Sequence, residues 1–198
     1  MLFRSRDGLN DVLKGIEASI NAGLNPIKIN SVLMPGINDD EAVELVHWAM
    51  GLNLQLRFIE QMPLDAQQSW SRHSMISANS IKEKLSEKFE LKQLGDRGSD
   101  PAEIFEIVGT GQKVGIIASV TKPFCSSCDR LRLTADGQLR NCLFSLEESD
   151  LRTSLRQNRS EEDLKLQIKA CVKGKKAGHG IGEPTFVQPP RPMSAIGG

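Results

Sequence analysis

Pro26-Ile27-Lys28-Ile29-Asn30-Ser31-Val32-Leu33 and Leu54-Gln55-Leu56-Arg57-Phe58-Ile59-Glu60 decide the fold class. The first segment is β-rich and closed by Pro35-Gly36. The second alternates apolar and polar residues almost without fault, the period-2 pattern of a half-buried strand. Between them, Asp39 or Asp40 reads as the N-cap of a helix running to about Met50, with Glu41 and Glu44 at its positive end. Upstream, Leu9, Val12, Leu13, Ile16 and Ile20 recur at helical spacing over residues 8–22, and Gly23 supplies the stop. Helix, strand, helix, strand at short spacing calls for parallel strands joined by crossover helices, an α/β layout. Two strands do not make a parallel sheet covered on both faces. The pattern also opens on a helix, so it reads as part of a larger barrel entered midway.

After Glu60 the rhythm changes. Gln61 to Ser74, with Trp70, reads as a long loop, and Ser77 caps a helix through about Lys88. Ala102–Val108 and Lys113–Ser119 read as strands joined by Gly109-Thr110-Gly111. Arg130–Thr134 and Gln138–Leu143 flank Asp136-Gly137, a strong hairpin signal. Two helices are expected near Asp150–Gln157 and Glu161–Val172. From Lys173 the chain is rich in Gly, Pro and basic residues, poor in apolar ones, and reads as an extended tail.

The chain has 198 residues, 39% hydrophobic and 25% charged, a soluble globular composition able to bury a sizeable core. Its formal net charge is +0, so affinity for nucleic acid or an anionic substrate has to come from a local patch. No apolar run is long enough to span a bilayer. The first residues lack the apolar segment of a secretory signal, and a reducing cytoplasm is the expected setting.

In that setting clustered cysteines hold metal more often than they form disulfides. Cys125-Ser126-Ser127-Cys128 is a C-x-x-C turn, and Cys142 follows Cys128 by fourteen positions. The Asp136-Gly137 hairpin returns the chain, bringing Cys142 toward the first pair. Three sulfur ligands suit a 4Fe–4S cluster with one open iron, whereas structural zinc wants four closed ligands. Zinc held by Cys125, Cys128, Cys142 and His179 or His73 remains a rival, and a redox C-x-x-C pair is a further one. Cys171, on an amphipathic helix, reads as a core thiol. Arg130 and Arg132, alternating on a strand beside the cysteines, present guanidinium forks suited to a polyphosphate. As part of a zinc-stabilised module they would instead contact nucleic acid. Zero net charge and few neighbouring aromatics oppose that reading.

Cys125 to Gly137, followed by Leu139-Arg140-Asn141-Cys142-Leu143-Phe144, resembles the second-cluster motif of the GTP 3′,8-cyclases (molybdenum cofactor biosynthesis protein A). Arg6-Asp7-Gly8-Leu9, Lys28-Ile29-Asn30-Ser31-Val32, Gly36 to Glu41, Arg57-Phe58-Ile59-Glu60 with Met62-Pro63, and Gly197-Gly198 agree in order and spacing. The resemblance implies a radical S-adenosylmethionine (SAM) fold. Residues 1–75 would be the C-terminal strands and helices of an incomplete, TIM-like βα barrel, truncated at its N-terminus. Residues 76–198 would be an α+β module with a Gly-Gly tail. It implies a lyase that, with SAM, converts GTP to (8S)-3′,8-cyclo-7,8-dihydroguanosine 5′-triphosphate, opening molybdenum cofactor biosynthesis. The product would pass to the cyclic pyranopterin monophosphate synthase, and a homodimer is possible.

By the same resemblance, Cys125, Cys128 and Cys142 ligate a 4Fe–4S cluster whose open iron binds the purine. Lys28, Arg130, Leu131 and Arg132 contact GTP, Met62 contacts SAM, and Gly197 and Gly198 reach into the active site. No nucleic acid or membrane partner is expected. The family's SAM-cleaving C-x-x-x-C-x-x-C motif is missing, since the first cysteine here is Cys125. The chain alone is therefore expected to be inactive.

Overall fold

The computed structural model describes residues 8–65 and 70–196. Its elements are α1 (Leu9–Asn21), β1 (Lys28–Ser31), α2 (Ala42–Gly51), β2 (Gln55–Ile59), α3 (Ala78–Ser86), β3 (Leu91–Gln93), β4 (Glu103–Ile107) and β5 (Lys113–Ile117). They continue with β6 (Arg132–Leu133), β7 (Gln138–Arg140), β8 (Ser149–Asp150), α4 (Leu151–Arg156) and α5 (Glu161–Lys173). Two compact units divide the chain. One holds residues 1–61, 74–97 and 101–121; the other holds 62–73, 98–100 and 122–198.

The first unit is built on a five-stranded sheet in the order β1-β2-β5-β4-β3. β1 pairs parallel with β2, and β2 parallel with β5, while β4 and β3 run antiparallel. The α/β class expected from the sequence is therefore present, in a mixed sheet. The alternation of β2 sends Leu56 and Phe58 into the core, where Leu33, Val46, Ile81 and Leu85 meet them. Gly115, at the centre of β5, is required by close approach: a Cβ there would meet Arg57 Cγ at 2.9 Å.

The cap expected at Asp39 or Asp40 is corrected. α2 is preceded by Glu41, with no side-chain cap, and the Asp39 carboxylate instead accepts the Gly36 N–H at 2.7 Å within the turn after β1. Ser77 does cap α3, accepting the Ser80 N–H at 3.1 Å.

The second unit carries a three-stranded antiparallel sheet, β6-β7-β8. The expected hairpin forms at Asp136-Gly137, with Gly137 at φ +81, where L side chains are strained. Its paired strands are shorter than expected, because only Arg132↔Arg140 and Leu133↔Leu139 are in register. Asp150 caps α4, and Ser160 with Asp163 forms a capping box on α5.

The last segment carries no helix or strand among the described residues after α5, only a 3-10 turn at Met193–Ala195, but the expectation that it is too poor in apolar residues to be anchored is corrected. Ile181 and Ile196 are buried, Met193 N–H donates to Leu64 O at 3.2 Å, and Arg191 forms ion pairs with Asp136 and Glu148. No described helix is long and apolar enough to cross a membrane.

Candidate functional site

The segment from Phe124 to Cys128 is a single 3-10 turn, Cys125–Ser127, with Cys128 as its C-cap. Cys128 N–H donates to Cys125 O at 3.3 Å, so the C-x-x-C backbone curls as its spacing requires. Ser127 holds the turn down through its hydroxyl, which donates to Gly98 O at 2.9 Å. On the return arm of the hairpin, Cys142 lies two residues beyond β7, and its carbonyl accepts the Ser145 N–H at 3.2 Å. Cys125, Cys128 and Cys142 are free thiols, all half-buried.

Burial pushes the Cys125 thiol up, and the nearby Cys142 and Cys128 push it further, against a hydrogen bond from the His179 backbone and the charge of Lys175. Burial acts on Cys128 in the same direction. There it is outweighed by hydrogen bonds from the Arg130 backbone and guanidinium and by Lys175, and the thiol lies below its ordinary value. Burial and the neighbouring Arg130 also lower Arg132, while Cys142 and Cys128 pull it back up. The thiols and arginines therefore share one electrostatic neighbourhood.

Arg130 lies outside the strand expected for it. Its guanidinium sits over the Phe124 ring at 4.4 Å, an arrangement that orients it without a ladder. Leu131 is exposed, and Arg132 opens β6 half-buried. Lys28 is exposed at the start of β1, in the first unit, and Met62 is half-buried in the second. Gly197 and Gly198 lie outside the described residues. Cys171 is half-buried on α5 with its sulfur 4.0 Å from Leu139 O. His179 Nδ1 accepts the Ile181 N–H at 3.2 Å, and its ring packs on Phe144; His73 is exposed.

Sequence reasoning missed Lys175. Its ammonium donates to Arg130 O at 2.7 Å and to Asn141 O at 2.8 Å, and its charge acts on Cys125 and Cys128. In the sequence it is one lysine of Lys173-Gly174-Lys175-Lys176, and no local pattern separates it from its neighbours.

Among the described residues, no group of three or more His, Cys, Asp or Glu side chains is gathered to hold a metal ion. The expected donor set is all sulfur, with Arg130, Arg132 and Lys175 in its electrostatic neighbourhood. By the chemistry of its donors alone, an all-sulfur set beside cationic side chains suits an iron–sulfur cluster or zinc rather than a hard cation.

Residues 54–181 match the family Molybdenum Cofactor Synthesis C. The chain is 56% identical over 195 residues to a GTP 3',8-cyclase of Streptomyces coelicolor, covering 98% of the chain and 57% of the relative. To the GTP 3',8-cyclase of Mycolicibacterium smegmatis it is 50% identical over 198 residues, covering 98% and 55%. For that of Corynebacterium glutamicum the identity is 48% over 200 residues, covering 98% and 53%. The chain thus spans a little over half the length of these curated relatives. The matched segment runs from β2 through the cysteine turn, the hairpin and α5, and the chain belongs to the Molybdenum Cofactor Synthesis C family.

Proposed function

We propose that this chain is the GTP-binding, second-cluster portion of a GTP 3′,8-cyclase, the SAM-dependent radical lyase that opens molybdenum cofactor biosynthesis. One observation carries the reading: three half-buried thiols share a turn and hairpin with Arg130, Arg132 and Lys175 in a chain of zero net charge. That concentrates cation where a triphosphate would need it.

In this reading Cys125, Cys128 and Cys142 hold a 4Fe–4S cluster, which when bound supplies an open iron to the purine. Arg132, half-buried, offers its fork to phosphate oxygens with little further ordering cost. Arg130, already oriented by Phe124, adds a second fork, and the Leu131 backbone lies between them. Lys28 is a further GTP contact, Met62 a SAM contact, and Gly197 and Gly198 the end of the active-site tail. We read β1 and β2 as strands of a TIM-like radical SAM barrel. β1 is an open parallel edge, and α1 leaves Leu9 and Val12 exposed, as elements awaiting neighbours would. SAM cleavage would fall to a second cluster whose motif these 198 residues lack. The cyclised product would pass to the cyclic pyranopterin monophosphate synthase, and the protein would work in the cytoplasm, as a homodimer if it pairs.

The second reading, a zinc-stabilised nucleotide- or nucleic-acid-binding module, needs a fourth ligand. One ring nitrogen of His179 is already engaged by Ile181. Anaerobic reconstitution separates the two. About one four-iron cluster should load on these cysteines, Cys142→Ser should strip it, and Cys171→Ser should not. With the cluster in place, Arg132→Ala should weaken GTP binding on the order of tenfold to a hundredfold. Stoichiometric tetrahedral zinc without iron would favour the second reading and overturn the first.

A further inference from the structure

The β6–β7 ladder consists of two pairs, Leu133↔Leu139 and Arg132↔Arg140. Continued toward the thiols, its register would set Leu131 against Asn141 and Arg130 against Cys142 itself. At that point a side chain joins the two arms. The Lys175 ammonium donates at once to Arg130 O and Asn141 O, at 2.7 and 2.8 Å.

The same corner is tied to α5. Asn141 Nδ2 donates to Cys171 O at 2.9 Å, a carbonyl of the helix's last turn that has no partner further along the helix. Gly174 lies against that amide: a Cβ there would stand 3.4 Å from Asn141 Nδ2, in ordinary contact. Lys175 follows directly, so the end of α5 delivers a cation to the point where the ladder stops. An ammonium has three donors and no acceptor, and two of its donors are spent on these carbonyls. A lysine that merely covered surface would not bridge two carbonyls eleven residues apart in sequence, one on each ligand-bearing arm.

We propose that Lys175 is a positioning residue for the three-cysteine site, fixing the separation between the arm that carries Cys125 and Cys128 and the arm that carries Cys142. The inference rests on the cluster reading above and assigns to it a residue that does not touch the metal. Partners of this kind hold ligands in place, and their loss typically costs about 10–100-fold in metal affinity.

The test uses the full-length protein, anaerobically reconstituted, and follows iron release to a ferrous chelator. Cys142→Ser sets the baseline for iron held elsewhere. Lys175→Met keeps the stem length and removes every donor; it should release the Cys142-dependent iron about 10–100-fold faster than wild type. Lys175→Arg, which keeps charge and donors, should restore slow release, and Lys176→Met, one exposed residue along, should leave it unchanged. Circular dichroism and thermal unfolding report whether each variant is folded. Should Lys175→Met fail to fold, Lys175→Gln, with one neutral donor group, is read in the same assay and should also release faster. Wild-type release from Lys175→Met, or from Lys175→Gln in its place, overturns the positioning role while leaving the cluster intact. Wild-type protein that holds no more iron than Cys142→Ser overturns the cluster reading, and this proposal with it.

Discussion

Glu60 is 1% exposed, yet none of its acceptor capacity is wasted. Its Oε1 accepts the Ala78 N–H at 2.7 Å and the Thr121 hydroxyl; its Oε2 accepts the Val120 and Thr121 N–H groups at 2.7 and 2.8 Å. One carboxylate thereby joins the end of β2, the first residue of α3 and the segment leaving β5. Glu60→Ala would leave three backbone donors without their acceptor, the Val120 N–H buried and the Ala78 and Thr121 N–H groups part-buried, at a cost of about 3 kcal/mol. Glu60→Gln keeps the shape but turns a donor toward donors, and should cost nearly as much. Denaturant unfolding of both variants checks this, and loss within error of zero would show that water replaces the carboxylate. In the sequence Glu60 is only the last residue of an alternating strand. Its partners lie 18, 60 and 61 positions away, so nothing local reveals it. Cys125 and Cys128 are the opposite case, because a C-x-x-C turn is made by its own four residues. Lys175 again depends on carbonyls 45 and 34 positions back, and a lysine on a basic run carries no mark of that use.

At the level of elements, what is set by neighbours in sequence was legible. α1, α3, α4 and α5 carry their caps or stops with them, and Asp136-Gly137 sets its own turn. Less visible were β3 and β8, three and two residues long, which are strands only because a partner lies beside them. The placing of β5 between β2 and β4 is likewise decided by parallel pairing across some 58 residues of sequence, as Leu56↔Val114 shows. The hairpin illustrates how such distant parts are locked. Arg191 donates to both oxygens of Asp136, at 3.2 and 2.8 Å, and to Glu148 at 2.9 Å, while Glu148 also pairs with the buried Arg140. The Arg191 hydrogen bonds first, and Thr134 second, hold the Asp136 carboxyl at about 2, below its ordinary 3.8. A carboxyl lowered by folding stabilises the fold above its ordinary value, and that contribution fades as pH falls from 3.8 through about 2. Asp136→Asn should therefore be less stable than wild type near neutrality, with the two unfolding midpoints converging as the pH is lowered through that window. Parallel curves across the window would remove the Arg191 pair from any account of how the last segment is held.

For the whole molecule the balance of charge is informative because it is null. With 25 cationic and 25 anionic residues, nothing steers an anion to the chain at long range. On the function proposed above, recognition is made locally, by Arg130 and Arg132 beside the thiols. In the proposed reading, binding and radical chemistry draw on separable residues. The GTP-contacting residues proposed above are in this sequence, whereas the SAM-cleaving cluster motif that the resemblance implies is not, because no cysteine precedes Cys125 in these 198 residues. Protein side chains bind and orient; they do not replace a redox cofactor. The chain, expressed as these 198 residues and reconstituted with iron and sulfide, should accordingly hold GTP only weakly. Each charged contact not supplied by the chain weakens binding by roughly tenfold to a hundredfold. Incubated with GTP, SAM and a strong reductant, it should yield neither deoxyadenosine nor cyclised nucleotide above a cluster-free control. Product lacking in both assays, together with measurable GTP binding that disappears in Arg132→Ala, is the pattern that separates recognition from catalysis. Deoxyadenosine formed by the chain alone would mean that Cys125, Cys128 and Cys142 cleave SAM themselves, and the division of labour between two clusters would have to be abandoned.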